Sequence, residues 1–73
     1  MKKDKVKVKN DITEEKKALD NNISRLSVFV LSVDFDGLST RQRGAMHRQL
    51  RAMNEYSQAL RDRILDITKQ ESE

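Results

Sequence analysis

The residue types best suited to chemistry form a polar line along one predicted helix. The line runs at steps of four, three and four residues: His47, Arg51, Asn54 and Gln58. Such spacing projects all four side chains from one side of a helix with 3.6 residues per turn. An arginine fork binds phosphate through two parallel hydrogen bonds, and side-chain amides pair with the edges of bases. The line therefore suits a small anionic ligand such as a nucleotide. Tyr56, on the far flank, offers a ring for stacking a base supplied between protomers.

Three further arginines of the same helix complete the predicted ligand-binding set: Arg41, Arg43 and Arg48. The first two lie near the start of the helix, where unpaired backbone amides favour anions. The alternative interpretation is a solvated helix face, on which Arg51 pairs locally with Glu55 and Asp62. The residue pattern leaves both interpretations open.

The composition argues against an enzyme. The 73-residue chain has one histidine, no cysteine and two glycines, too few for a catalytic triad, a thiolate metal site or a glycine-rich phosphate loop. Asp34, Asp36 and Gly37 resemble half of a calcium-binding loop, but the later acidic ligand is missing. We therefore predict no catalytic residue, no metal site and no cofactor.

Charge and hydropathy predict a cytoplasmic protein with two frayed ends. The net charge is +3, and residues 2–9 hold five lysines against one aspartate. We therefore expect a basic flexible tail over residues 1–10 and a frayed C-terminus over residues 69–73. The longest apolar run, VFVLSV, is too short to span a bilayer, and no signal-peptide core follows the lysines. The lack of cysteine fits a reducing compartment.

Two helix start signals divide the remaining chain. Asp11 with Glu14 has the form of a capping box, and so does Ser39 with Gln42. Between them the run DFDGL contains turn formers, including Gly37, which suits a positive backbone φ. We predict helix 1 over about residues 11–33 and helix 2 over about residues 39–68, joined closely enough to be antiparallel neighbours.

Each predicted helix carries one apolar stripe at helical spacing. The stripe of helix 1 comprises Ile12, Leu19, Ile23, Leu26, Val30 and Val33. The stripe of helix 2 comprises Met46, Leu50, Met53, Leu60, Ile64 and Ile67. The β-branched run VFVLSV continues the first stripe and finds no partner strand, so a helix is favoured there. Phe35 and Leu38 are expected to close the open end of the hairpin, and Met53 to face Leu26.

Several features favour self-association. A hairpin of this size without disulfides or metal is marginally stable, and helix 2 is predicted to overhang a shorter helix 1. A line of alanines at steps of seven, Ala45, Ala52 and Ala59, either packs against helix 1 or lets another protomer approach. Gly44 likewise either faces solvent or marks a close approach to the backbone. The predicted fold is all-α: an antiparallel helical hairpin of two long helices that assembles into a homo-oligomer.

The order of these residues resembles a known group of proteins. The pattern runs Arg25-Leu26-x-x-Phe29, then Phe35 and Leu38, then Gln49-Leu50-x-x-Met53-x-x-Tyr56-x-x-x-Leu60-x-x-Arg63-Ile64. Over roughly residues 19–67 it is similar to small helical-hairpin proteins common in tailed-phage genomes. Several phage proteins of this build are anti-CBASS or anti-Thoeris sponges, which oligomerise and sequester the cyclic nucleotides of host immunity. The binding residues of such sponges are not matched position by position, so the predicted site depends on residue chemistry alone.

The resemblance implies a phage anti-defence protein of the host cytoplasm, with a cyclic nucleotide immune signal bound between protomers. Two other functions stay open at this point. One is an interaction module that inhibits a host enzyme through the arginine-rich face. The other is a non-specific nucleic-acid binder that uses the lysine tail with helix 2, an option weakened by the scarcity of aromatic residues for stacking. The sequence assigns no role to the lysine tail by itself.

Overall fold

The computed structural model describes the backbone of residues 2–72 and the side chains of residues 5–70. Within that range the chain forms three helices and no strand: α1 (Lys2–Val30), α2 (Val33–Asp36) and α3 (Thr40–Ser72). The two long helices pack side by side, and α2 forms the corner between them. The result is a rod of 52 × 14 × 14 Å. The all-α prediction with two long packed helices is confirmed. No helix in the described range is apolar over a length that could cross a bilayer.

The start of α3 is fixed by the predicted serine cap. The hydroxyl of Ser39 accepts a hydrogen bond from the backbone amide of Gln42 at 3.1 Å, which satisfies one of the unpaired amides of the first turn. Gly37 differs from the expectation for a turn glycine, because its φ is −78° and its ψ is −8°. Its amide bonds to the carbonyl of Asp34 at 3.2 Å, and no described residue of the corner has a positive φ.

Helix α1 ends at Val30 instead of continuing to Val33 as predicted. Ser32 is the reason, because its hydroxyl donates to the carbonyl of Phe29 at 2.6 Å and accepts from the amide of Phe35 at 3.3 Å. Such local side-chain bonds compete with the helical backbone ladder. The placement of Val33 in the apolar stripe was therefore wrong: Val33 is 85% exposed, and Leu31 is 87% exposed beside it.

Helix α1 also begins at Lys2, not at Asp11. Asp11 lies within the helix with its side chain exposed, so it caps no helix end, and the hydroxyl of Thr13 bonds back to the carbonyl of Lys9 at 2.8 Å. The segment predicted as a flexible basic tail therefore forms the first turns of α1 from residue 2. Helix α3 extends to Ser72, through residues 69–72 of the predicted frayed C-terminus. The helices are 29 and 33 residues long, so α3 is still the longer helix, by four residues.

The core between the two helices is thin. Among the described side chains, three apolar residues are buried: Ile12, Phe35 and Leu60. The other members of the two predicted stripes, Val33 apart, are half-buried. Ala52 and Ala59 are exposed, so the alanine line does not pack fully against helix 1.

A polar contact sets the register of the two helices. The hydroxyl of Ser57, which is buried in α3, donates to the carboxylate of Asp20 in α1 at 2.5 Å. Lys16 donates to the other oxygen of the same carboxylate at 2.7 Å. The bonds from Lys16 and from Ser57 hold the pKa of Asp20 below its ordinary value, because both favour the ionised form. In this antiparallel register Leu26 and Met53 lie within two residues of the same level, in the half of the rod nearer the corner.

Candidate ligand-binding groove

A groove of about 590 Å³ runs along the side of α3. Its lining comes from consecutive turns of this one helix: His47, Leu50, Arg51, Asn54, Glu55, Gln58, Ala59 and Asp62. The volume lies within the range of small-molecule sites, which is roughly 300–1,000 Å³. Because one helix supplies every lining residue, the groove has a floor but lacks an opposite wall. We refer to these eight residues as the α3 groove.

The corner of the hairpin fixes the first end of the α3 groove. The ring of His47 lies edge-on to the ring of Phe35, with centroids 5.3 Å apart. Phe35 is 6% exposed and also lies edge-on to Phe29 at 6.2 Å. These edge-to-face contacts restrain an otherwise exposed imidazole. Sequence reasoning expected Phe35 to close the hairpin, but it did not foresee that Phe35 also supports His47.

The middle of the α3 groove presents donors and acceptors. The side-chain amide of Asn54 donates to the carbonyl of Leu50 at 3.1 Å, which leaves its second N–H and its oxygen available. Arg51 and Glu55 are exposed. They do not pair with each other or with other side chains in the described part of the chain. The local pairing expected in the alternative interpretation is therefore absent among the described residues, whereas the exposure of Arg51 and Glu55 fits its solvated helix face.

Charge is distributed unevenly along the groove. His47 and Arg51 lie towards the first end, and the carboxylates of Glu55 and Asp62 lie towards the second end. An anion is attracted to the first end and repelled from the second. Sequence reasoning assigned these two carboxylates to local pairing with Arg51. The signal that places them in the groove is their spacing, four residues after Arg51 and four after Gln58.

The other predicted ligand-binding residues lie outside the groove lining. Arg41, Arg48 and Tyr56 are exposed on α3. By helical spacing Arg41 and Arg48 border the side that carries the groove, and Tyr56 belongs to the opposite side. Arg43 is half-buried, and its Nη2 donates to the hydroxyl of Thr40 at 3.3 Å. Its Nε is buried without a hydrogen-bond partner. Of the seven predicted residues, the groove thus brings together His47, Arg51 and Asn54.

The described residues thus form a hairpin of two long helices with an open groove of ligand size along α3. A family model described as Sequestin matches residues 7–66, which is most of the chain. The chain therefore belongs to the Sequestin family. The family name denotes the sequestration of a molecule, which is a binding function and not a catalytic one. This membership fits the resemblance to small sequestering anti-defence proteins. No curated protein and no solved structure matches the chain significantly.

Proposed function

We propose that this chain is a phage anti-defence protein that acts in the host cytoplasm as a homo-oligomer and sequesters a cyclic nucleotide immune signal. The observation that carries the proposal is the α3 groove, where an unpaired arginine, a histidine and two side-chain amides lie on one face of a Sequestin-family chain. This role requires that the protein bind the nucleotide, but not that it change the nucleotide chemically.

Each part of a nucleotide has a suitable group in the groove. The guanidinium of Arg51 takes a phosphate, and the ring of His47, held against Phe35, supplies a second donor nearby. The amides of Asn54 and Gln58 suit the edges of a base. Glu55 accepts hydrogen bonds from a ribose hydroxyl or an exocyclic amine. The ligand is thus anionic at one end and rich in donors at the other.

The surface of the single chain supports the homo-oligomer. The accessible surface is 5898 Å², whereas a compact monomer of 8.5 kDa exposes about 4,700 Å². The excess exceeds the roughly 800 Å² that each partner buries in a standard interface. A tightly held ligand also buries most of its own surface. The open α3 groove needs a second wall to achieve this, and another protomer is a source of one.

Isothermal titration calorimetry against cyclic dinucleotides, cyclic trinucleotides and cyclic ADP-ribose isomers tests the proposal. We expect one binder in this panel. Replacement Arg51→Ala should weaken its affinity at least tenfold, a loss of about 1.4 kcal/mol. Arg63→Ala is the matched control, because Arg63 is an exposed arginine of the same helix that does not line the groove.

Other outcomes would redirect the assignment. If every nucleotide fails to bind and a host enzyme co-purifies through α3, the chain is an interaction module. If duplex DNA binds with a steep salt dependence and Arg51→Ala costs no more than Arg63→Ala, the energy is shared among many cations, as for a non-specific nucleic-acid binder.

A further inference from the structure

The α3 groove is an incomplete site, because one helix lines it from end to end. We infer that a second copy of this chain supplies the missing wall, with its own α3 packed antiparallel across the groove and a two-fold axis passing between Asn54 and Glu55. The inference concerns how two chains pair. It rests on the proposed function only for the identity of the ligand that the paired grooves enclose.

The two halves of this side of α3 differ in charge. The half before Asn54 presents exposed arginines without an acidic residue: Arg41, Arg48 and Arg51. The half after Asn54 presents three exposed carboxylates, Glu55, Asp62 and Asp66, together with the exposed cations Arg61 and Lys69. A parallel pair of helices sets arginine against arginine, which is repulsive. An antiparallel pair sets each basic half against the acidic half of the other copy.

The midpoint of the lining fixes where the axis falls. A two-fold axis between Asn54 and Glu55 pairs positions at equal distances from it. A residue before the axis in one copy lies level with the residue the same number of positions after the axis in the partner. His47 then lies level with the partner's Asp62, and Arg51 lies level with the partner's Gln58. Arg48 comes within one residue of the level of the partner's Asp62, which is about 1.5 Å along the axis. The flanks of the interface thus bring opposite charges together, and Arg51 lies at the centre of the pair, close to the two-fold axis.

The shape of the surface agrees with this register. Gly44 has open space around it, with no atom within 4 Å of the position a Cβ would take. Leu65 is 52% exposed on the same side of α3. In the antiparallel pair Gly44 lies level with the partner's Leu65, so the gap left by the glycine receives a large apolar side chain. This arrangement explains a glycine one turn into a helix, where it otherwise costs stability relative to alanine.

Single-cysteine variants test the pairing without any ligand, and the chain has no cysteine of its own. In the proposed register the two copies of residue 54 are offset by about 1.5 Å along the axis, and the two copies of residue 58 by about 10 Å. A disulfide needs Cα atoms within about 7 Å. Asn54→Cys should therefore cross-link to its own copy under mild oxidation. Gln58→Cys alone should not, but it should cross-link to Arg51→Cys in a mixture of the two variants.

Two results would overturn the inference. Equal cross-linking of Asn54→Cys and Gln58→Cys with themselves indicates parallel helices. No cross-link in Asn54→Cys or in the mixture indicates that another face, or no face, pairs. Circular dichroism of the reduced variants verifies folding, and all three positions are exposed. If the cross-links form in the variants but the parent chain binds no nucleotide, the pairing holds and the proposed function fails. If the parent chain binds a nucleotide but no cross-link forms, the proposed function holds and the pairing fails.

A second measurement uses the gap at Gly44. Gly44→Leu should fill the space that the partner's Leu65 occupies and weaken self-association at least tenfold by sedimentation velocity. Ala52→Leu is the control, since it adds a similar side chain at an exposed position of the same helix outside the α3 groove. If Gly44→Leu associates as well as Ala52→Leu, the close approach at Gly44 does not occur.

Discussion

Replacement of Leu60 by alanine is the sharpest test of the thin core. Leu60 is 1% exposed, and it is the largest side chain that is completely buried among the described residues. Leucine-to-alanine changes at such sites cost about 2–5 kcal/mol, because the transfer energy is lost and a cavity remains. A domain of this length has a total stability of about 4–11 kcal/mol at roughly 0.05–0.15 kcal/mol per residue. One substitution should therefore remove a large part of the free energy of unfolding.

The assay is urea denaturation followed by far-UV circular dichroism, with parent and variants at one protein concentration because association adds to apparent stability. Leu31→Ala is the matched control: it removes the same atoms at a position that is 87% exposed, and it should cost less than about 0.5 kcal/mol. If Leu60→Ala and Leu31→Ala shift the midpoint equally, the two long helices do not pack through the described face.

The remaining predictions concern the register of the helices. Leu26→Ala and Met53→Ala should each cost about 2 kcal/mol, the lower end of the range for core truncations because both residues are half-buried; melts within a couple of degrees of the parent would place the stripes on other faces. Ser57→Ala should destabilise the protein at neutral pH and raise the pKa of Asp20, as followed by NMR. Because that pKa lies below its ordinary value of 3.8, the ionised carboxylate stabilises the fold above this value, and the contribution is lost as the pH falls through the lowered pKa. The difference between Ser57→Ala and the parent should therefore shrink in acid, and a pH-independent difference would contradict the role of Asp20.

Local sequence signals predicted the elements of the fold better than their ends. The Ser39 cap lies where the S-x-x-Q pattern indicated, because the hydrogen bond of a cap joins residues three apart. The same pattern at Asp11 misled, because α1 begins at Lys2 and leaves Asp11 inside the helix, where no first-turn amide needs a cap. Ser32 was overlooked within an apolar run. Its signal was the acidic pair at Asp34 and Asp36, which favours the first turn of a helix.

The contacts between the two helices were beyond sequence reasoning. Ser57 is buried within an apolar stripe, and its partner Asp20 is 37 residues away, so no periodicity links them. His47 and Phe35 come together because α2 turns the chain. In contrast, the shared side of His47, Arg51 and Asn54 follows from helical spacing alone. The sequence analysis named Glu55 and Asp62 only as local partners of Arg51, because the residue pattern alone does not show which side chains line a groove.

The central claim is that this Sequestin-family chain holds a nucleotide signal without altering it, and one measurement addresses both halves of that claim. The protein is mixed with an equimolar cyclic nucleotide from the panel, passed through a filter that retains protein, and heated to release what it holds. Both fractions are analysed by mass spectrometry. We predict that one nucleotide disappears from the filtrate and is recovered intact from the heated protein, and that Arg51→Ala leaves it in the filtrate. Every nucleotide remaining in the parent filtrate, or a recovered nucleotide that has been cleaved, would contradict sequestration.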